Sequence, residues 1–222
     1  MDAQRHIDPR QLSPQDRYKL LIGAIVPRPI AWVSTIGPRP EGTAAGALNL
    51  APFSFFCGVG SNPMTLCFCP ANKPDGTEKD TLRNAKPVSE GGTGECVVNI
   101  VTHALGPQMA ACAAELDYGT SEFDFAHLTP RASTVVRPPG VLQSPLSFEC
   151  RTLQVIRTNP GAPGGGNLLL AEVVHIVASA GLVNDRLHVE PALLDAIGRM
   201  GGSGYTTTRD RFEMPRGQQP GA

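Results

Sequence analysis

A chain of 222 residues, 41% apolar and 18% charged, can bury one large core or two small ones. Its formal net charge of -1, with no dense run of Lys and Arg, argues against nucleic acid as a partner. No apolar run is long enough to span a membrane, and residues 1–7 lack the basic start and apolar core of a signal peptide, so a cytoplasmic protein is expected.

Residues 1–12 are polar and read as a flexible N-terminal segment. Ser13-Pro14-Gln15-Asp16 reads as a helix start, with Ser13 as N-cap, Pro14 in the first turn and Asp16 closing a capping box. Leu20, Leu21, Ala24 and Ile25 continue at helical spacing until Pro27 and Pro29, which cannot donate to a helix. Residues 30–35 read as a strand and 37–46 as a turn. Residues 47–60 read as extended, with Pro52 marking an edge or a bulge. Strands are expected over 64–68 and 96–101, and an Ala-rich helix over 103–116, starting late because of Gly106-Pro107. Residues 119–140 read as a long loop, 146–156 as a strand, 160–166 as a turn and 167–178 as a long apolar strand. Residues 186–189 read as short and extended, and 191–197 as a helix stopped by Gly198. Residues 208–222 read as a disordered tail, leaving 13–207 as one domain.

Gly (24) and Pro (21) are abundant, as expected of many short strands joined by turns. With helices inserted at irregular intervals, the pattern is mainly β with α insertions. It fits a β-barrel and not the regular alternation of a doubly wound sheet. The six cysteines read as free thiols. Cys67 and Cys69 share a strand face, as a metal pair or as small buried hydrophobes. No second Cys or His pair completes a zinc set, so no metal is expected.

The stretch from Lys73 to Asn84 places cationic, hydroxyl and amide donors around a turn that enters a short helix. Lys79, Asp80 and Thr81 sit at the helix start, where unpaired N–H groups favour an anion, and Asn84 projects from the same face as Thr81. The alternative is an ordinary surface helix capped by Asp80 or Thr81. Upstream, Asn49, Leu50, Ala51, Pro52, Phe53, Ser54, Phe55 and Phe56 form a strand-like run that suits a flat aromatic ligand or, equally, a packed core. A phosphate grip beside an aromatic-friendly wall suggests a nucleotide-type cofactor, and FMN is the simplest candidate. Arg28, fixed between Pro27 and Pro29, is aimed either at a phosphate or flavin oxygen or at solvent from a rigid turn. The segment 199–205 reads as a cover over a site or as a helix stop and tail. Rossmann, Walker, nucleophile-elbow and zinc-protease signatures are absent.

Taken in order, Tyr18–Leu21, Val26–Thr35, Asn49–Phe56, Lys79–Asn84, Val97–Ile100 and Glu149–Arg151 resemble motifs of the flavin reductase-like family, from about Tyr18 to Tyr205. These are FMN-binding split-barrel proteins, including flavoredoxin and the reductase components of two-component monooxygenases. The resemblance implies a split β-barrel that forms a homodimer, with FMN near the subunit interface. Lys79, Asp80, Thr81 and Asn84 would lie on the phosphate side. Arg28, Asn49 and the segment Ala51 to Phe56 would border the ribityl chain and ring, and Tyr205 would close the site. NADH or NADPH would pass a hydride to the flavin and a monooxygenase would be a possible acceptor. No dedicated acid or base is needed, so no catalytic residue is assigned. The alternative is an FMN-holding electron-transfer protein, flavoredoxin-like, that does not use NAD(P)H directly. Longer turns over 37–46 and 87–94 depart from the family pattern.

Overall fold

The computed structural model describes residues 4–38, 46–214 and 216–217. Parts of three expected segments therefore lie outside the described residues: the N-terminal segment, the turn over 37–46 and the C-terminal tail. In chain order the elements are α1 (Pro14–Ala24), β1 (Arg28–Pro29), β2 (Ala31–Ile36), β3 (Leu48–Phe53), β4 (Phe56–Ser61), β5 (Met64–Phe68), α2 (Asp80–Ala85), β6 (Glu95–Ile100), α3 (Gly106–Ala111), α4 (Glu122–Phe125), β7 (Pro130–Arg131), β8 (Gly140–Val141), β9 (Leu146–Arg157), β10 (Asn167–Ala178), α5 (Pro191–Leu194), β11 (Ile197–Arg199) and β12 (Tyr205–Thr207).

Seven antiparallel strands form the main sheet in the order β3-β2-β6-β9-β10-β5-β4. Its two edge strands, β3 and β4, follow one another in sequence with only Ser54 and Phe55 between them. So short a link forces the sheet to curl until its edges meet, with a seam between them. The result is the split barrel that the resemblance implied. Phe53 at one edge stacks on Phe68 beside the other, with ring centroids 5.7 Å apart. Pro52 lies on an edge strand, where its missing N–H costs no ladder bond.

Alternation along β2 explains why the strand is buried from Ala31 to Thr35. Ala31 and Val33 face the barrel interior with Phe68, Leu82, Val98 and Leu169. Trp32 points the other way, into a second cluster with Leu50, Met109, Phe123 and Ile197. The strand is therefore covered on both faces, and its two polar residues, Ser34 and Thr35, are fully buried with hydrogen-bond partners.

The N-terminus of α1 forms as its sequence indicates, with the Asp16 N–H donating to Ser13 Oγ at 3.1 Å. Several boundaries differ from expectation. The helix expected over 103–116 opens earlier, as a 3-10 turn at His103–Leu105, and α3 ends at Ala111. Gly106 and Pro107 begin α3 instead of delaying it, because a first-turn proline needs no N–H partner. The loop expected over 119–140 contains α4, β7 and the start of β8. The extended piece at 186–189 is reduced to one bridge, Val183 with Val189. The helix expected over 191–197 stops at Leu194, where Asp195 turns left-handed (φ 41°). Ile197 then enters β11, which pairs with β1 and with β12 in a small second sheet. The segment 199–205 is thus the tip of a hairpin, closed by the Met200 N–H donating to Gly204 O at 2.9 Å.

The six cysteines are free thiols. Among the described residues no group of three or more His, Cys, Asp and Glu is placed to hold a metal. Among them, too, no helix is long and apolar enough to cross a membrane.

Candidate functional site

The loop before α2 is held by its own short-range bonds. Lys73 N–H donates to Thr77 O at 2.8 Å, and Asp75 Oδ1 accepts from the Thr77 N–H and hydroxyl at 2.9 and 2.6 Å. Gly76 is left-handed (φ 84°), and a Cβ there would collide with Gly161 O, so only glycine suits this turn. The loop delivers Lys79 to the start of α2 as an N-cap that makes no side-chain capping bond. The half-buried Lys79 has no carboxylate partner among the described residues, whereas Lys73 is paired with Asp80 at 3.2 Å.

Behind this helix start lies a buried polar network. Thr35 Oγ1 accepts from Asn49 Nδ2 and from Asn84 Nδ2, each at 3.1 Å. Asn49 Nδ2 also donates to Thr81 Oγ1 at 2.9 Å. The Tyr118 hydroxyl donates to Asn84 Oδ1 at 3.3 Å. Thr81 and Asn84 are each only 1% exposed, so α2 is docked on β2 and β3 by side chains satisfied in the interior.

A cavity of about 370 Å³ opens in front of this network. That is within the roughly 300–1,000 Å³ typical of small-molecule sites. Asn49, Ala51, Pro52 and Phe53 of β3 form one wall, and Lys73, Lys79, Asp80 and Thr81 form one end. The opposite side is built by residues 112–117, which follow α3, and by Glu122 of α4. A second cavity, about 250 Å³, shares Pro52 and Ala113 with the first and continues to Ser54, Tyr18, Arg199 and Tyr205. At that far end the Arg199 guanidinium lies 4.4 Å over the Tyr205 ring. One groove thus runs from a cationic end, along a flat β3 wall, to an aromatic end.

The groove gathers Asn49, Ala51, Pro52, Phe53, Ser54, Lys79, Asp80, Thr81 and Tyr205 from the residues singled out in the sequence. Asn84 stands behind it, in the network. Phe56 packs partly against the barrel interior and borders a separate groove with Gly58, Met64 and Phe148. Phe55 lines neither cavity of the groove; its carbonyl accepts from Cys69 N–H at 2.9 Å, extending the β4–β5 pairing by one residue. Arg28 is 3% exposed and is occupied by the protein itself. Its guanidinium donates to Ile22 O, to Ile25 O at 2.8 Å, to Met200 O at 2.9 Å and to Ser54 Oγ at 3.3 Å. It fastens the end of α1 and the 199–205 hairpin to the turn after β3.

Two groups in the wall were not singled out by sequence. Glu122 is buried and accepts the Leu50 N–H at 2.8 Å. Burial pushes its carboxyl above the ordinary range and the Asp80 charge adds to that, while the Leu50 bond works the other way. Burial also pushes the Cys112 thiol up to about 12. Neither residue belongs to a local motif. Both arrive through tertiary packing, and an isolated Glu in a loop-like stretch carries no signal of where it will fold.

Comparison with known proteins agrees over nearly the whole chain. The model of the flavin reductase like domain matches residues 23–201. An uncharacterized protein of Deinococcus radiodurans is 38% identical over 214 residues, covering 95% of this chain and 89% of that one. Among solved structures, nitrilotriacetate monooxygenase component B from Bacillus cereus is 32% identical with a TM-score of 0.85, covering 96% of this chain and all (100%) of that one. The 2-nitrobenzoate 2-nitroreductase of Pseudomonas fluorescens is 25% identical with a TM-score of 0.81, covering 98% and 100%.

Proposed function

The chain belongs to the flavin reductase like domain family, and from that premise we propose that it is an FMN-binding oxidoreductase, acting as a NAD(P)H-dependent flavin reductase. The observation that carries this reading is Lys79: a half-buried ammonium without a carboxylate partner among the described residues, at an uncapped helix start, in the same cavity as the flat β3 wall. A phosphate suits that end because it takes charge-assisted bonds from the ammonium and from first-turn N–H groups. The Thr81 hydroxyl adds a donor, since its oxygen already accepts from Asn49.

When bound, FMN supplies the hydride chemistry, with NADH or NADPH as donor. The chain's own residues bind and orient. Ala51, Pro52 and Phe53 offer an apolar wall for a ring, and Ala113 faces it from the other side of the groove. Arg28 fixes the turn that carries Ser54 and the hairpin that carries Tyr205, so the far end of the groove keeps its shape. The likeness to a monooxygenase component B from Bacillus cereus supports a monooxygenase as the acceptor of reduced flavin.

The same reading includes a homodimer. Helix α1 buries none of its residues, and Leu20, Leu21 and Ile25 stand exposed near its end. A second copy is the natural cover for such a row.

The test is a visible spectrum of the purified protein with FMN, then with NADH or NADPH. Flavin bands at about 375 and 450 nm that bleach with the nicotinamide support the proposal. Bands that bleach only with dithionite would replace it with an electron carrier. No binding at excess FMN would sink it.

A further inference from the structure

Residues 57 and 67 face each other directly in the antiparallel pair of β4 and β5, and both are cysteines. Their sulfurs stand 3.5 Å apart. Directly opposed residues of such a pair lie about 4.5–5.5 Å apart at Cα, inside the span of about 4.4–6.8 Å that a disulfide bridges. Closing the gap to a bond of about 2.05 Å asks for a small shift of one strand. β4 is the strand suited to give it. It is a sheet edge, Gly58 and Gly60 have open space around them, and its register already slips between those two glycines. Cys57 is exposed and Cys67 is 8% exposed beneath it.

We infer that Cys57 and Cys67 are a peroxide-oxidisable pair that closes to a cross-strand disulfide. The exposed Cys57 sulfur attacks one oxygen of hydrogen peroxide, breaking the O–O bond and forming a sulfenic acid, with water as the other product. The Cys67 sulfur then attacks the Cys57 sulfur and displaces the hydroxyl, which leaves as water with the Cys67 proton. Two thiols are oxidised and one peroxide is reduced to two waters. Burial is the main reason the Cys67 thiol is pushed up to about 12, which fits it as the second partner and not the first. The assignment stands without the proposed function, because the peroxide is supplied from outside.

The chain carries its own comparison. Cys96 and Cys150 are directly opposed in β6 and β9, yet both are fully buried between the covered faces of the sheet. Geometry alone would treat the two pairs alike; access separates them. Cys69 is the competing partner, half-buried and close enough for the Cys57 charge to act on it.

The experiment is peptide mapping of the full chain, reduced, freed of reductant, treated with hydrogen peroxide and digested without reduction. The expected result is a linkage between the Cys57 and Cys67 peptides and a mass loss of two hydrogens. It should persist in Cys69→Ser and vanish in Cys67→Ser, where dimedone should instead trap oxidised Cys57. Should Cys67→Ser fail to fold, Cys57→Ser at the exposed position gives the same loss of linkage. A bond from Cys57 to Cys69, a bond between two chains through Cys57, prior oxidation of Cys96 or Cys150, or no linkage at all would each overturn the inference.

Discussion

β3 and β4 are six residues each, separated by two residues, and stand at opposite edges of the same seven-stranded sheet. One becomes the wall of the groove and the other faces solvent. β3 is covered by α2, by the residues after α3 and by α4. Its outward Leu50 N–H is taken by a carboxylate, and Asn49 is tied to Thr35 and Thr81. Past Phe56, every residue of β4 is exposed. An edge strand is an unfinished surface, and what is packed against it decides what it can do. The inserted helices turn one edge into a site, while the bare edge keeps a thiol within reach of oxidants.

The sharpest test of this contrast is a pair of truncations. Phe53→Ala, on the covered edge and stacked on Phe68, should cost about 3–5 kcal/mol in chemical denaturation. Val59→Ala, on the bare edge and 56% exposed, should stay within about 0.5 kcal/mol. Similar costs at the two positions would erase the distinction.

The cover itself is tested at Glu122. Glu122→Ala leaves the Leu50 N–H without its acceptor and should destabilise by about 1–3 kcal/mol. Its titration has a definite sign. Burial raises the folded pKa above the ordinary 4.5, so above that value the folded protein retains a proton that the unfolded chain has released. Stability therefore falls as pH rises through the folded pKa. Glu122→Gln keeps an acceptor and does not titrate. The wild-type stability should fall relative to this variant across that window, and a constant difference would contradict the assignment.

Lys79→Ala should weaken FMN binding by about 1–3 kcal/mol by calorimetry. Its thermal melt should hardly move, because Lys79 makes no ion pair among the described residues. Unchanged affinity would remove Lys79 from the site and leave the β3 wall without its cationic end.

Much of the fold was legible because the strong signals are local. Met64–Phe68 and Asn167–Ala178 match the expected strands to the residue, and Pro52 indicates its edge. The same holds for the helix start at Ser13 and for the run from Lys79 to Thr81. Ile197 and Gly198 were misread because a proline followed by apolar residues looks helical, whereas the left-handed Asp195 and the pairing with β1 make them a strand. Arg28 could be read as an exposed cation because three of its four partners are backbone carbonyls, which every sequence has everywhere. The wall formed by residues 112–117 is invisible for a related reason: it is defined by what it faces, not by its own residue types.

Arg28 also links events in time. Its guanidinium joins Ile22 and Ile25 to Met200, and among the described residues β1 pairs with no strand but β11. A chain emerging from the ribosome has the first half of this clamp almost at once and must wait for some 170 further residues before the second half arrives (Arg28 to Met200 is a separation of 172). Until then α1 has no fixed anchor and the far end of the groove no shape. Contacts of such long range form late and slowly, so the nascent barrel can assemble its interior well before it can offer a finished site.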